Sequence, residues 1–194
     1  MAWREAVAAE KRRAFRDQTY WGRPVPYFGD FEADRLILGL APAAHGGNRT
    51  GRMFTGDRSG DFLYASLYRS GVASQPFGGE AGDGLTLKGA MIAASAHCAP
   101  PDNKPLPSEL ANCQPYLEKL LASREWKAVL CLGGIAWTQF HRVLGRKAPK
   151  FGHGVVSEGA PVVVATYHPS QQNTFTGRLT LEMLDAAVKV WLEI

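Results

Sequence analysis

Cysteine is scarce: three residues in 194, Cys98, Cys113 and Cys131, with no Cys-x-x-Cys pair among them. So small and odd a number, without a secretory pattern, argues against a disulfide framework and leaves reduced thiols or metal ligands. No apolar run approaches the roughly 20 residues of a membrane-spanning helix. The opening MAWREAVAAEKRRAFR is too charged for a signal peptide, so a cytoplasmic protein is expected. There is no internal repeat, linker or low-complexity tract, and a single domain over 1–194 is expected. Acidic residues do not dominate either. Lys plus Arg is 22 against 18 Asp plus Glu, a net charge of +4, which permits a polyanionic partner without demanding one. With 45% hydrophobic and 21% charged residues, the chain has the balance of a globular protein with a full core.

What is present is a repeated order of apolar strand, glycine-rich turn and helix. Strands are expected over residues 35–40, 90–96, 128–132 and 162–167, each short, apolar and bounded by turn residues. Helices are expected over 2–17, with Trp3, Val7, Ala14 and Phe15 inward, over 59–69, from Ser108 as cap to about Leu121, over 135–144, and from about Arg178 to the end. Alternation of this kind predicts a three-layer α/β/α fold around a four-stranded parallel sheet. Ligands of such sheets sit outside the carboxyl ends of the strands. Four loops should meet there: the one holding Phe54 and Asp57, the one holding Asn103, the Gly133-Gly134 turn, and the one beginning at His168.

The long loop from Gly39 to Gly60 holds six glycines, which let backbone approach a ligand closely. Around it stand an aromatic face (Phe54), titratable groups (His45, Asp57) and positive charge (Arg49, Arg52, Arg58). A flat ring, a carboxylate, the Asn103 amide and the His168 imidazole suit recognition of a planar heterocycle and cleavage of its bond to a sugar. That reaction leaves positive charge on the sugar and negative charge on the base, so it needs an anion or oriented water on one side and donors on the other. Asp57 and His168 fit those parts, and Phe54 and Asn103 fit stacking and edge reading of an extruded base. Asp57 has a second reading as a helix cap, and His45 as a residue that only bonds its own loop. A metal-dependent hydrolase built on Asp57, Asp61 and His45 is a weaker alternative, since no tight ligand spacing supports it.

Several stretches carry a resemblance. LGLAPAAHG from Leu38, NRTGRMFTGD from Asn48, CAPP from Cys98 with Asn103-Lys104-Pro105, and Tyr167-His168 followed by QNT and TGRLT resemble the family 5 (type B) uracil-DNA glycosylases, over nearly the whole chain. The resemblance implies the uracil-glycosylase fold and DNA repair by removal of deaminated bases; double-stranded DNA is the expected partner, and since a glycosylase can act alone, a monomer is expected. Hypoxanthine and xanthine are implied beside uracil. It implies catalytic roles for Asp57, His168 and Asn103, and a base pocket of Gly39, Leu40, Ala41, Pro42, His45, Phe54 and Ala94. DNA contacts are expected from Asn48, Arg49, Arg52, Gln172, Asn173, Phe175 and Arg178, with Phe175 or a neighbour filling the gap left by the flipped nucleotide. Leu40 and Ala41 stand where the wider superfamily carries a polar catalyst, which moves the burden to Asp57. They also motivate a second reading, a lesion- or abasic-site-binding protein with little turnover. Ala94 stands where uracil-strict relatives carry an Asn. The resemblance further implies a 4Fe-4S cluster held by four cysteines. Cys98 and Cys113 match the two later ligands, while the earlier pair is absent from a chain that opens at Ala2-Trp3-Arg4-Glu5. A start further upstream is the expectation, and none of the reacting groups is a cysteine.

Overall fold

A computed structural model describes residues 2–194. Four parallel strands form the centre: β2 (Arg35–Gly39), β3 (Met91–Ala94), β4 (Ala128–Leu132) and β6 (Val162–Thr166), in the spatial order β3-β2-β4-β6. Two-residue strands β1 (Phe28–Gly29) and β5 (Val156–Ser157) add antiparallel edges that were not anticipated, making six. Such short pairings leave little periodic signal in a sequence, yet they cover the exposed edges of a parallel sheet. The chain runs from β2 outward to β3 and then returns past β2 to β4, so the strand order reverses beside β2, and at such a reversal a crevice opens.

Both faces of the sheet are covered, which is why these strands read as unbroken apolar runs instead of alternating ones. Ile37, Ile92, Leu130 and Val164 face α3 (Arg58–Arg69) and α7 (Leu181–Glu193), which bury Leu63, Leu67, Leu184, Val188 and Trp191. Their strand neighbours Leu36, Leu38, Met91, Val129 and Val163 face the other way. They pack on α4 (Pro107–Ala122) and α5 (Gly134–Val143) through Leu117, Leu120, Trp137 and Phe140. Cys131 is a fully buried filler of this second layer, its thiol pushed up by loss of solvation. Among the described residues no helix is long and apolar enough to cross a membrane.

Helix boundaries moved where side chains outcompeted pattern. The first helix, α1, spans Ala2–Glu10 and stops at Lys11, whose φ is 56°; a 3-10 turn at Arg13–Phe15 follows. Its inward residues are Arg4 and Val7, with Trp3 exposed, because the Arg4 guanidinium reaches the Gly22 carbonyl and the Cys98 sulfur. Ser108 does not cap α4. Leu106 does, with Pro107 in the first turn, where no N–H is required, and Glu109 reaching back to the Leu106 N–H at 2.7 Å. The last helix begins at Leu181 instead of Arg178, since the Thr180 hydroxyl accepts the Met183 N–H.

The glycine loop contains a four-residue helix, α2 (Gly47–Thr50), and is pinned from within by three residues expected to touch DNA. Asn48 is fully buried and donates to the Arg4 and Ala44 carbonyls. Arg49 donates to the carbonyls of His45 and Gly56 and to Gln18. Arg52 binds both carboxylate oxygens of Asp83, at 2.9 and 2.8 Å. Asp83 in turn accepts the N–H groups of Gly79 and Leu85, so this one pair ties the loop to the 79–85 segment. Burial and internal partners give Asn48, Arg49 and Arg52 a scaffold role, not a DNA-facing one: their polar groups are spent on closing the loop.

The Arg52 guanidinium holds the Asp83 carboxyl well below the usual carboxylate range. A depressed folded-state value contributes stability that is complete above the ordinary value of about 3.9 and is lost as pH falls below it. Breaking a largely buried pair by removing one partner costs about 3–5 kcal/mol. We therefore expect Arg52→Ala to lower unfolding free energy by roughly that amount at neutral pH, measured by chemical denaturation. The gap between the variant and the parent should narrow as pH falls below about 3.9; an equal gap at all pH values would contradict the assignment.

Candidate active site

A cavity of about 710 Å³ opens at the carboxyl ends of β2, β3 and β6. Its wall includes Leu40, Ala41, Pro42, His45, Phe54, Asp57, Ala94, Asn103, His168 and Gln172, so one space brings together the flat ring, the carboxylate, the amide and the imidazole from three loops, while the Gly133-Gly134 turn, expected as a fourth, does not line it.

Asp57 is both a cap and a pocket group, so the two sequence readings coincide. As N-cap of α3 it accepts the Gly60 N–H on Oδ1 at 3.0 Å. Its other oxygen lies so close to Gly46 that a methyl group there would sit 2.1 Å from it. Burial raises the Asp57 carboxyl, opposed by the backbone N–H groups of Gly60 and Ser59, while the negative charge of Asp61 pushes the same way as burial. The helix start fixes the carboxylate and partly offsets its desolvation.

Phe54 is held in a left-handed conformation, φ 52°, which a bulky residue adopts only when its surroundings impose it. Two glycines admit it. A methyl on Gly60 would meet the Phe54 carbonyl at 1.7 Å, and one on Gly39 would meet the edge of its ring at 2.9 Å. The Phe54 and His168 rings stand 6.0 Å apart between centroids, at 32°. Burial lowers the His168 imidazole to about 4, so it is neutral at physiological pH. The Asn173 side chain donates to the His168 carbonyl at 2.8 Å, and Gly133 leaves room for the His168 Cβ. Asn173, expected on DNA, is thus turned inward as a brace for His168. Asn103 ends a 3-10 turn, Pro101–Asn103, with φ values of 52° and 55° at Asp102 and Asn103; the flanking prolines keep that tip on the pocket rim.

Other expectations separate. Phe175, in the short helix α6 (Gln171–Phe175), is 67% exposed with the Arg58 guanidinium 5.1 Å over its ring. Arg178 is exposed and lies over Tyr167 at 4.6 Å. Both stand outside the cavity wall, on the surface beyond His168. Arg12, Phe15, Arg58, Ser59, Ser170 and Gln171 also line the cavity. Arg12 and Phe15 escaped sequence reasoning because a basic N-terminal segment has the pattern of a solvated helix; the signal against it was only the crowding of aromatics in residues 15–21.

Cys98 and Cys113 are near enough for each to bear on the other, yet among the described residues no group of three His, Cys, Asp or Glu side chains is placed to hold a metal. A four-iron cluster needs four thiolates, and with Cys131 sealed in the sheet the described residues supply two. They do not fit the cluster by themselves. Asp57, Asp61 and His45 likewise form no ligand set.

Comparison with known proteins agrees with this geometry. The model of the uracil DNA glycosylase superfamily matches residues 26–192. A type-5 uracil-DNA glycosylase of Mycobacterium bovis is 56% identical over 192 residues, 95% of this chain and 72% of that protein. Proteins of the same name from Mycobacterium leprae and Thermus thermophilus are 53% and 49% identical, covering 94% of this chain and 83% and 85% of theirs. The chain belongs to the uracil-DNA glycosylase superfamily and, within it, to the type-5 uracil-DNA glycosylases.

Proposed function

We propose that the protein is a DNA repair enzyme that hydrolyses the N-glycosidic bond of uracil in DNA and leaves an abasic site, acting as a monomer on double-stranded DNA. The observation that carries this reading is the meeting of Phe54, Asp57, Asn103 and His168 on one cavity. The flipped base lies against the Phe54 ring, and the Asn103 amide reads its edge. As the bond lengthens, positive charge grows on the sugar. The Asp57 carboxylate, aimed across the glycine loop, stabilises that charge and orients the attacking water. Negative charge grows on the base, and a neutral His168 N–H donates to it. A neutral donor suits this step, because it does not need to lose solvation as a cation in a site that burial already makes unfavourable for charge.

The apolar strand tip widens the choice of base. Leu40, Ala41 and Ala94 offer no polar group to reject a purine edge, so hypoxanthine and xanthine are further substrates. Lesion binding without turnover is the competing outcome. Duplexes carrying uracil, hypoxanthine or xanthine, treated with alkali after incubation, distinguish the two: strand breaks support catalysis, and binding without breaks supports the alternative.

Two outcomes are expected. Removing a donor aimed at developing charge costs about 10²–10³ in kcat, so His168→Ala should show that loss in single-turnover assays with little change in melting temperature. Asp57 must be ionised to work, and its carboxyl is raised, so activity should fall as pH drops through a midpoint above the ordinary value of about 3.9. Because His168 is neutral above about 4, its own titration should add no step to the rate between roughly pH 6 and 8, and any fall on acidification there belongs to Asp57. A rise in rate on acidification near pH 6 would mean that protonated His168 is the active form.

A further inference from the structure

The match to the superfamily model begins at residue 26, yet two residues that precede it, Arg12 and Phe15, line the cavity. The segment carrying them is bolted to the glycine loop. Phe15 lies under the Arg49 guanidinium at 4.2 Å, Gln18 accepts from Arg49 at 2.6 Å, and Tyr20 meets His45 Nδ1 through its hydroxyl at 3.0 Å. Residues 12–20 are therefore a built wall of the pocket, not a loose leader.

The Tyr20 contact decides a proton. Tyr20 is buried, and its hydroxyl has two partners, the Arg12 backbone N–H at 3.4 Å and His45 Nδ1. The Arg12 N–H can only donate, so the phenol O–H must give its proton to His45 Nδ1 to be satisfied. His45 then carries its hydrogen on Nε2. Burial, aided by the positive charges of Arg12 and Arg49, lowers this imidazole below its ordinary value and favours its neutral form. Arg12 itself is exposed on the rim, and among the described residues no carboxylate pairs with its guanidinium, whereas Arg49 and Arg52 are fully engaged.

We propose that the segment Arg12–Tyr20 is a substrate-binding wall of the pocket. In it Arg12 grips a phosphodiester next to the flipped nucleotide, and Tyr20 positions His45 as the tautomer that presents an Nε2–H donor to the same nucleotide. This rests on the proposed action on DNA. A cation free of partners at the mouth, beside a locked N–H donor, is the arrangement that a phosphate oxygen recognises.

The test measures binding to a duplex containing a tetrahydrofuran abasic analogue across a range of KCl concentrations, with uracil release scored in parallel. Loss of one phosphate contact weakens binding and reduces the slope of log affinity against log salt by about one. Arg12→Ala should show that change with a roughly tenfold weaker Kd, and Arg12→Lys should restore the slope. An unchanged slope in Arg12→Ala, whatever the affinity, overturns the phosphate contact. For Tyr20→Phe, proton–nitrogen correlation spectra of the histidine rings should change from a single Nε2–H pattern at His45 to a mixture, with the Arg12 salt slope retained. An Nδ1–H pattern in the parent, or an unchanged spectrum in the variant, overturns the positioning role. Failure of the parent to release uracil would instead sink the glycosylase reading, and is scored separately from either result.

Discussion

The site depends on one carboxylate held where it does not prefer to be. Asp57 sits at the start of α3, desolvated by the pocket and restrained by the backbone N–H groups of that helix. Desolvation alone would favour the neutral acid; the helix N–H groups give the anion partners that water would otherwise supply. The capping bond therefore does two things at once. It starts the helix that packs under the sheet, and it holds the second carboxyl oxygen close against Gly46 on the wall of the cavity. Structure and chemistry share a single interaction, so the surrounding loop has to be rigid.

That rigidity explains the fate of the loop's polar residues. A long glycine-rich segment loses much conformational entropy on ordering, and it stays ordered only if other groups hold it. Arg49 and Arg52 do so by reaching carbonyls, Gln18 and Asp83, and Asn48 by anchoring the loop to the N-terminal helix. Positive charge in a loop of a DNA-acting protein suggests phosphate contacts, but here much of it is consumed internally. Arg12 and Arg58, exposed on the cavity wall, and Arg178, exposed beyond His168, come from three different segments.

The two rings of the site show the same economy of means. Phe54 is strained into a left-handed conformation and His168 is stripped of solvent, and neither would persist alone. Gly39 and Gly60 make space for the first, and Gly133 and Asn173 shape the second. These neighbours thus act as the negative image of the two rings.

The central parallel strands, the four main helices flanking them and part of the pocket wall were legible in the sequence, because burial on both faces leaves unbroken apolar runs and glycines mark where strands turn into loops. Leu36–Leu38, Val129–Leu132 and Val163–Ala165 could hardly be anything but buried strands, His168 stood just past such an end, and Asp57 and Asn103 stood in the longer loops that follow two others. Tertiary structure alone decided which polar side chains face inward. Arg4, Asn48, Arg49 and Arg52 carry no local mark of burial; they are inside because carbonyls and a carboxylate distant in sequence needed their N–H groups. The two edge strands, the exposure of Trp3 and the presence of Arg12 and Phe15 at the pocket have the same origin. Periodicity records what a segment can bury, whereas the partner that completes a hydrogen bond lies elsewhere in the chain and leaves no trace beside the residue it satisfies.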